Sequence, residues 1–326
     1  MNCVICNSKE NVSFRDKYIL EIEEDINIFE GTKIYSCKNC DISFVSPMPP
    51  DNKLDEFYKN VYRTPYRPPY FLTEDYEDLK LQCLEDRYFN YLVYLTSLVD
   101  LSKVKKLYDF GAGNGDLGYL LKKKFPNLEL FSTESDKYCK KLLEERGYKN
   151  FENLNEIKEK FDLIITLHSL EHLTSTDIFS KFCNFLNKDG KIFFEVPNCT
   201  KKYFDLRISD TPHLIFYTKK SFEKLAQLYN LRFINFSYSF YPIEYDRKFS
   251  LDSKKMYKKN YKSKLSIMKL KIILKKIIPK FIIKLRRDLY KLKRVNSEDR
   301  VNWFANNTGN NSYIRGILIK NQETNK

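Results

Sequence analysis

The stretch Lys106-Leu107-Tyr108-Asp109-Phe110-Gly111-Ala112-Gly113-Asn114-Gly115-Asp116-Leu117-Gly118 decides the fold of this chain. It begins as a short apolar strand, passes through a glycine-rich turn and continues as an amphipathic helix. Four of the nine glycines in the 326-residue sequence lie here. Glycine is needed where the backbone takes a positive φ or where a ligand approaches closely. In parallel α/β sheets, ligands bind at such a turn at the carboxyl end of a strand.

From residue 104 onward, short apolar runs alternate with amphipathic helical stretches, which predicts a parallel sheet with crossover helices. The predicted strands cover residues 106–110, 128–133, 150–151, 161–167, 191–196, 232–238 and 312–320. The predicted helices cover residues 116–125, 136–146, 176–186 and 219–229. The sequence therefore predicts an α/β fold of the Rossmann-like kind.

The glycine turn has two interpretations, a dinucleotide site and an S-adenosylmethionine site, and a nearby acidic residue distinguishes them. Residues 113–118 satisfy the dinucleotide fingerprint G-x-G-x-x-G, so the glycine spacing alone does not decide between the two ligands. Asp109 stands two residues before the first glycine. S-adenosylmethionine (SAM) carries a cationic sulfonium and an amino group but no pyrophosphate. A carboxylate at the strand end therefore suits SAM and would repel the phosphates of a dinucleotide.

A second acid follows the next predicted strand, in Ser132-Thr133-Glu134-Ser135-Asp136. A carboxylate about 20 residues beyond the glycines can accept both hydroxyl groups of a ribose. We assign this role to Glu134, because Asp136 is better placed to cap the next helix. The structural alternative for Glu134 is a solvated loop acid.

These segments resemble the motifs of class I SAM-dependent methyltransferases. The resemblance includes Leu167-His168-Ser169-Leu170-Glu171-His172-Leu173 and Glu195-Val196-Pro197-Asn198, and it covers residues 104–238. It implies a seven-stranded sheet whose last strand is antiparallel, and a bacterial subgroup that methylates small molecules and sugars. It also implies that the following residues bind SAM: Asp109, Gly111, Gly113, Gly115, Glu134 and His168. The Asn/Asp-Pro-Pro-aromatic tetrapeptide of amino-methylating nucleic-acid enzymes does not follow the fourth predicted strand.

The chain has three histidines, and each is a candidate for acid–base work in methyl transfer. His168 and His172 flank Glu171, where they either shape the pocket or act on the acceptor. A metal site built on these two lacks an obvious third ligand.

His213 precedes a predicted helix, in a stretch similar to one that carries a tyrosine and a Glu-His pair in zinc-containing sugar C-methyltransferases. Here Pro212 replaces the glutamate, and Asp210 stands near the tyrosine position. This difference favours an oxygen or nitrogen acceptor over carbon, with His213 as the first candidate for the base.

Two C-x-x-C pairs, Cys3 with Cys6 and Cys37 with Cys40, precede the predicted sheet. Four thiolates can close a tetrahedral zinc site, which a small segment with little core needs in order to fold. We predict a structural zinc; the alternative is a pair of redox motifs. Short β-like stretches are predicted at residues 26–29 and 33–35.

The predicted organisation has five parts: a zinc-binding module (1–46), a helical lid or linker (47–103), the SAM-binding core (104–240), a basic helical insertion (241–300) and the last core strand with a tail (301–326). From Lys254 to Arg300 there are 18 lysines and arginines against three acidic residues, within a net charge of +14. Residues 266–294 show the pattern of an amphipathic basic helix. Three interpretations of this segment stay open: its apolar face packs on the core, the helix binds a membrane surface, or its cations bind nucleic acid.

The sequence thus predicts an enzyme that methylates a sugar, a glycan precursor or another small molecule, in surface polysaccharide synthesis. The alternatives are an RNA methyltransferase that binds substrate through the zinc module and the basic segment, and a non-catalytic zinc-ribbon protein. No apolar run reaches the roughly 18 residues that span a bilayer, and the first residues lack a signal-peptide pattern. We therefore expect a cytoplasmic protein, with peripheral contact to the inner face of the membrane as an option.

Overall fold

The computed structural model describes residues 1–20, 26–62, 87–242 and 311–321. Its first strands are β1 (Val12–Lys17), β2 (Lys33–Cys37) and β3 (Ile42–Ser46), each antiparallel to the next. The β-like stretch predicted at residues 26–29 is wrong, because Ile26–Phe29 forms the short helix α1. Three acidic residues, at 23–25, precede it, and negative charge favours a helix N-terminus. Four residues are also too few to reveal a period.

Two helical segments lie between the N-terminal strands and the central sheet. Helix α2 (Asp51–Glu56) continues into a π-helical turn, Phe57–Val61, and helix α3 (Arg87–Leu98) precedes the first strand of the core. Pro50 stands at the start of α2, where its missing N–H costs no helical hydrogen bond. These elements agree with the helical pattern predicted within residues 47–103.

Seven strands form the central sheet: β4 (Lys106–Phe110), β5 (Glu129–Thr133), β6 (Tyr148–Phe151), β7 (Phe161–Leu167), β8 (Leu186–Pro197), β10 (Leu231–Pro242) and β11 (Asn311–Lys320). Their order is β10-β11-β8-β7-β4-β5-β6. The five strands from β4 to β8 run parallel to one another, and β11 is antiparallel to both β8 and β10. This confirms the predicted fold class. Strand β8 begins at Leu186, five residues before the predicted start at residue 191.

The strand order reverses at β4, since β5 and β6 lie on one side of it and β7 and β8 on the other. A crevice opens at the carboxyl ends of parallel strands at such a reversal. The sheet therefore places the glycine turn, the residue after β5 and the residues after β7 around one crevice.

Four helices pack on this sheet, namely α4 (Asp116–Lys124), α5 (Lys137–Glu145), α6 (Ile178–Phe185) and α8 (Lys219–Leu228), and the short helix α7 (Lys201–Leu206) follows β8 along the chain. Four of them confirm predicted helices to within two residues. Buried aromatic rings join the layers, as where Phe194 of β8 stacks on Phe222 of α8 with ring centroids 4.0 Å apart. Burial of such rings is the main contribution to core stability.

A two-residue strand, β9 (Ile215–Phe216), pairs with β3 rather than with the central sheet. The resulting sheet has the order β1-β2-β3-β9, so residues from the predicted zinc module and the predicted core share one sheet. The predicted domain boundaries therefore do not coincide with a break in hydrogen bonding.

The basic segment, residues 266–294, lies outside the described residues, as does most of the predicted insertion. Within the described ranges, no helix combines the length and the apolar character needed to cross a bilayer.

Candidate active site

The glycine turn between β4 and α4 brings bare backbone to the crevice. Gly111, Gly113 and Gly115 take positive φ angles of 67°, 54° and 69°. At Gly111 a Cβ atom would clash with the Oγ atom of Ser169, so a larger residue would displace the Ser169 side chain in the turn after β7. Glycine is therefore required both by the backbone angle and by the space.

Glu134 follows β5 and is tied to the glycine turn by its carboxylate. The N–H of Gly113 donates to Oε2 over 2.8 Å, and the N–H of Asp136 donates to Oε1 over 2.9 Å. A carboxylate has about four lone-pair sites, so these two bonds leave capacity for ribose hydroxyl groups. Asp136 accepts the N–H of Cys139 over 2.9 Å, which confirms its predicted role at the start of α5. Glu134 is an ordered part of the turn rather than a solvated loop acid.

Asp109 lies at the carboxyl end of β4 and is 5% exposed. Burial, reinforced by the negative charge of Glu134 and, more weakly, of Asp116, raises the pKa of Asp109 to about 8, although the hydroxyl of Tyr148 acts in the opposite direction. That hydroxyl is 3.4 Å from Asp109 Oδ2 and donates a shorter bond, 2.9 Å, to the carbonyl of Gly115. The excess of negative charge is the electrostatic condition for binding a cation.

One cavity of about 420 Å³ joins these acids to two of the histidines. Ligand sites have volumes of roughly 300–1,000 Å³. Its wall includes Tyr58, Tyr62, Tyr91, Asp109, Gly111, Gly113, Glu134, His168 and His172. Of the predicted site residues in this region, Gly115 and His213 lie outside the cavity wall.

His168 is held between two buried carboxylates. Its Nε2 atom is 3.1 Å from Glu195 Oε1, and its Nδ1 atom is 3.4 Å from Glu171 Oε1. Glu195 is fully buried and also accepts the hydroxyl of Tyr91 over 2.6 Å. The ring of His168 packs edge-on against Tyr313 of β11. These contacts favour a role for His168 in shaping the cavity wall.

Glu171, His172 and His213 form a second cluster next to His168. The side chain of Glu171 is 1% exposed, and neither carboxylate oxygen has a hydrogen-bond partner among the described residues; the 3.4 Å contact with His168 is an ion-pair distance without hydrogen-bond alignment. Burial opposes its ionisation most strongly. The His168 contact and the charges of all three histidines together outweigh burial and lower the pKa of Glu171 to about 2.

Tyrosine hydroxyls orient both imidazoles of this cluster. The hydroxyl of Tyr58 is 2.8 Å from Nδ1 of His172, and that of Tyr203 is 3.4 Å from Nδ1 of His213. The two imidazole rings are in edge contact, with centroids 5.2 Å apart. His172 lines the cavity, whereas His213 lies behind it and contacts its ring.

Several residues of this site carried no role in the sequence analysis. Glu171 stands beside a candidate histidine, and Glu195 lies in a quoted motif, so adjacency could have suggested both. Tyr58 and Tyr203 belong to a chain with 24 tyrosines, and nothing in their spacing marks them.

The four predicted zinc ligands converge. Their sulfur atoms lie within 4.8 Å of one another, and those of Cys6 and Cys37 are 3.8 Å apart. A tetrahedron with Zn–S bonds of about 2.3 Å has edges of about 3.8 Å. Burial raises the pKa of Cys3 to about 11, whereas backbone and thiol hydrogen bonds outweigh burial and lower the pKa of Cys6 to about 7. The donor set fits a divalent zinc ion, which would ionise all four thiols.

The fold also brings together three possible metal ligands next to the cavity, where the sequence had offered only two histidines. Ligand atoms of Glu171, His172 and His213 lie within 4.8 Å of one another, so a metal site here would use His213 and Glu171 with His172 rather than the pair His168 and His172. The spacing of His168 and His172 is not helical, because Leu170–His172 forms a single 3-10 turn.

Residues 85–235 match the family model Methyltransf_23, described as a methyltransferase domain. The match is less than half of the chain, and it includes the glycine turn, Glu134 and all three histidines. Together with the sheet order and the acids around the cavity, it identifies a SAM-dependent methyltransferase domain in this part of the chain. A comparison with curated proteins found no match.

The chain is also similar to solved methyltransferase structures at low identity. Magnesium protoporphyrin IX methyltransferase from Synechocystis, with bound S-adenosylhomocysteine, is 12% identical with a TM-score of 0.44, over 59% of this chain and 94% of that chain. Coclaurine N-methyltransferase, with N-methylheliamine and S-adenosylhomocysteine, is 14% identical with a TM-score of 0.46, over 93% of this chain and 84% of that chain. The O-methyltransferase of a Brevibacillus brevis polyketide synthase is 16% identical with a TM-score of 0.43, over 80% and 79%. Identities of this size do not identify a substrate.

Proposed function

We propose that the protein transfers the methyl group of SAM to an oxygen or nitrogen atom of a small molecule, a sugar or glycan precursor in the first place. The observation that carries this proposal is the shared cavity. Its wall includes the carboxyl groups of Asp109 and Glu134 together with the imidazoles of His168 and His172. An acceptor beside His172 would lie next to the sulfonium held near Asp109.

The donor side would bind SAM by charge and hydrogen bonding. Asp109 meets the cationic methionine end, the backbone of Gly111 and Gly113 lies against it, and Glu134 accepts the ribose hydroxyl groups. The two backbone donors on Glu134 fix its carboxylate before the ligand arrives, which lowers the cost of ordering on binding.

The acceptor side would carry out an in-line displacement. The acceptor atom attacks the methyl carbon, the carbon–sulfur bond breaks, and its electron pair stays on sulfur, giving S-adenosylhomocysteine. The acceptor proton passes to an imidazole. The sequence favours His213 as this base. The cavity wall favours His172 for the direct contact, with the anionic Glu171 stabilising the positive charge that the imidazole gains and the ring of His213 packed against it.

The glycan class is supported by the resemblance of the motifs around His172 and His213 to sugar methyltransferases, and by the four-cysteine cluster. Pro212 in place of a glutamate favours oxygen or nitrogen over carbon as the acceptor. A structural zinc on Cys3, Cys6, Cys37 and Cys40, a cytoplasmic location and a membrane contact through residues 266–294 belong to the same proposal.

The alternative, an RNA methyltransferase with a substrate-binding zinc module, has less support. In the described part of the chain, strand β3 of the four-cysteine region is hydrogen-bonded to β9, which follows His213. This pairing favours a role for the four-cysteine region in supporting the active site rather than in binding RNA.

Titration calorimetry tests the donor assignment. We expect SAM and S-adenosylhomocysteine to bind at micromolar concentrations and NADH not to bind. Micromolar binding of NADH without binding of SAM would overturn the proposal. Transfer of radiolabelled methyl from SAM to a panel of nucleotide sugars, amines and RNA then separates the acceptor classes, since label in RNA alone would exclude the small-molecule proposal.

A further inference from the structure

The segment around His213 is held from two sides by N-terminal residues. On one side, the hydroxyl of Tyr18 donates to the carbonyl oxygen of His213 over 3.1 Å. On the other, the N–H of Val45 donates to the carbonyl of Leu214 over 2.9 Å, where β3 meets β9. Leu214 also donates its N–H to the carbonyl of Glu171 over 2.7 Å. His213 is therefore fixed between the N-terminal strands and the turn that carries His172.

A buried ion pair holds the start of this segment. Arg207 is 8% exposed and Asp210 is 0% exposed, and their Nε and Oδ1 atoms are 2.7 Å apart. Arg207 also donates from Nη2 to the carbonyl of Lys17 over 2.9 Å, and its Nη1 atom is 3.0 Å from the carboxylate of Asp16. Asp210 accepts the N–H of Ile19 over 2.7 Å through Oδ2. The pair thus joins the end of β1 to the His213 segment.

The same pair reaches the histidine through the backbone. The N–H of His213 donates to the carbonyl of Asp210 over 2.7 Å. Removing one partner of a buried ion pair leaves the other charge uncompensated, so the structure around it must rearrange. The backbone that sets the position of His213 is therefore coupled to the N-terminal contact.

We propose that the N-terminal strands are part of the acceptor side of the active site, and that Arg207 and Asp210 are positioning residues for His213. The N-terminal region holds His213 against Glu171 and His172, in addition to any role as a metal-bound folding unit. The consequence for methyl transfer rests on the proposed function, whereas the consequence for the position of His213 does not.

The small number of histidines makes the position of His213 directly measurable. The chain has three histidines, so nuclear magnetic resonance of isotope-labelled imidazoles gives three signals that single His→Ala variants assign. In Arg207→Met, we expect the signals of His213 and His172 to move while that of His168, held by Glu195 and Tyr313, stays in place. Turnover should fall by about tenfold or more, because small misplacements of catalytic groups are costly. SAM affinity should stay within about twofold, and Arg207→Lys should restore part of the turnover.

Arg146→Met is the matched control. Arg146 also forms a buried pair, with Asp116 at 2.5 Å, but on the donor side beside the glycine turn. We expect the opposite result: weaker binding of SAM, and a His213 signal at its wild-type position.

The proposal is overturned if Arg207→Met is folded by near-ultraviolet circular dichroism and leaves the His213 signal unmoved. If Arg207→Met does not fold, Tyr18→Phe takes its place, because it removes a hydroxyl and keeps the ring that stacks on Phe29; an unmoved His213 signal there overturns the proposal equally. If the signal moves but His213→Ala retains wild-type turnover, the positioning role stands and the proposed base role of His213 fails.

Discussion

Burial and nearby acids raise the pKa of Asp109 to about 8, so we expect this carboxyl group to be protonated at neutral pH when no cation is bound. A cationic ligand favours the ionised form and lowers this pKa, so we expect binding to release the proton between the lowered pKa of the complex and about pH 8. The affinity for SAM should therefore rise with pH towards 8 and level off above it.

Asp109→Asn tests this linkage. We expect weaker SAM binding in the variant and a nearly flat dependence on pH between 6 and 8, because the amide has no proton to release. Calorimetry in two buffers with different enthalpies of ionisation measures proton release directly. Equal proton release in the wild type and in the variant would show that another group accounts for the linkage.

The two clustered histidines give a second prediction at this scale. If His213 itself takes the acceptor proton, His213→Ala should lower turnover by about two to four orders of magnitude, the usual range for loss of a general base, and by less if His172 takes the proton. SAM affinity should change little, because His213 lies outside the cavity wall. His172→Ala should lower both turnover and SAM affinity, since its ring lines the cavity.

Profiles of turnover against pH separate the two roles. Protonation of the base should reduce the wild-type rate on the acidic side, and that limb should vanish in the variant that lacks the base. Near wild-type turnover in His213→Ala with the acidic limb intact would exclude His213 and leave His172 and His168 as candidates.

The convergence of Asp109, Gly111 and Glu134 on one cavity was predictable from sequence because each lies within a few positions of a strand end. The spacing of Asp109, Gly111 and Glu134 along the chain carries the geometry of the crevice. The acceptor cluster was less predictable, because His213 meets Glu171 only through the pairing of distant segments. No local pattern encodes that contact.

At the scale of elements, long periodic segments were predicted closely, as with β7 and α4, whereas α1 was mistaken for a strand. Hydrophobic periodicity over seven or more residues separates strand from helix. In a four-residue segment such as α1, the acidic residues before it and its tertiary contacts decide whether a helix or a strand forms.

The N-terminal strands supply the prediction at this scale. We expect one zinc ion per chain, bound by Cys3, Cys6, Cys37 and Cys40. Cys37→Ser should lose the ion, because a site with three thiolates no longer closes the tetrahedron. Elemental analysis and limited proteolysis of residues 1–46 provide the measurement. Cys183→Ser is the control, since Cys183 lies outside the cluster and should retain the metal.

Full zinc retention in Cys37→Ser would exclude Cys37 as an essential ligand. A metal equivalent that survives Cys37→Ser and disappears in His213→Ala would instead assign an ion to Glu171, His172 and His213.

At the scale of the whole molecule, the uneven charge predicts a binding surface outside the catalytic domain. Residues 266–294 should bring the protein to vesicles that contain phosphatidylglycerol, since each lysine or arginine near an anionic surface contributes about 1 kcal/mol. Flotation should show binding to these vesicles and little to neutral ones. Replacing Lys276, Lys280 and Lys284 by glutamate should abolish it without changing turnover on a soluble acceptor. Equal flotation with neutral vesicles, or with the variant, would contradict an electrostatic contact.

The seven-stranded sheet follows from repeated local patterns, which is why its strands and class were predicted from sequence. The pairing of β3 with β9 was not, because it joins residues 43–44 to residues 215–216 through only two pairs. Contacts between such distant segments depend on the assembled surfaces rather than on any one stretch of sequence.

The place of β11 has a consequence for how the protein is made. It lies between β8 and β10, but residues 243–310 are synthesised before it. At about 5–20 residues per second, a ribosome leaves the edges of β8 and β10 unpaired for several seconds. Unpaired edges invite pairing with other chains. The nascent polypeptide should therefore need a chaperone until translation passes residue 320, and a premature stop codon before residue 311 should yield an aggregating product even though every proposed site residue is already present.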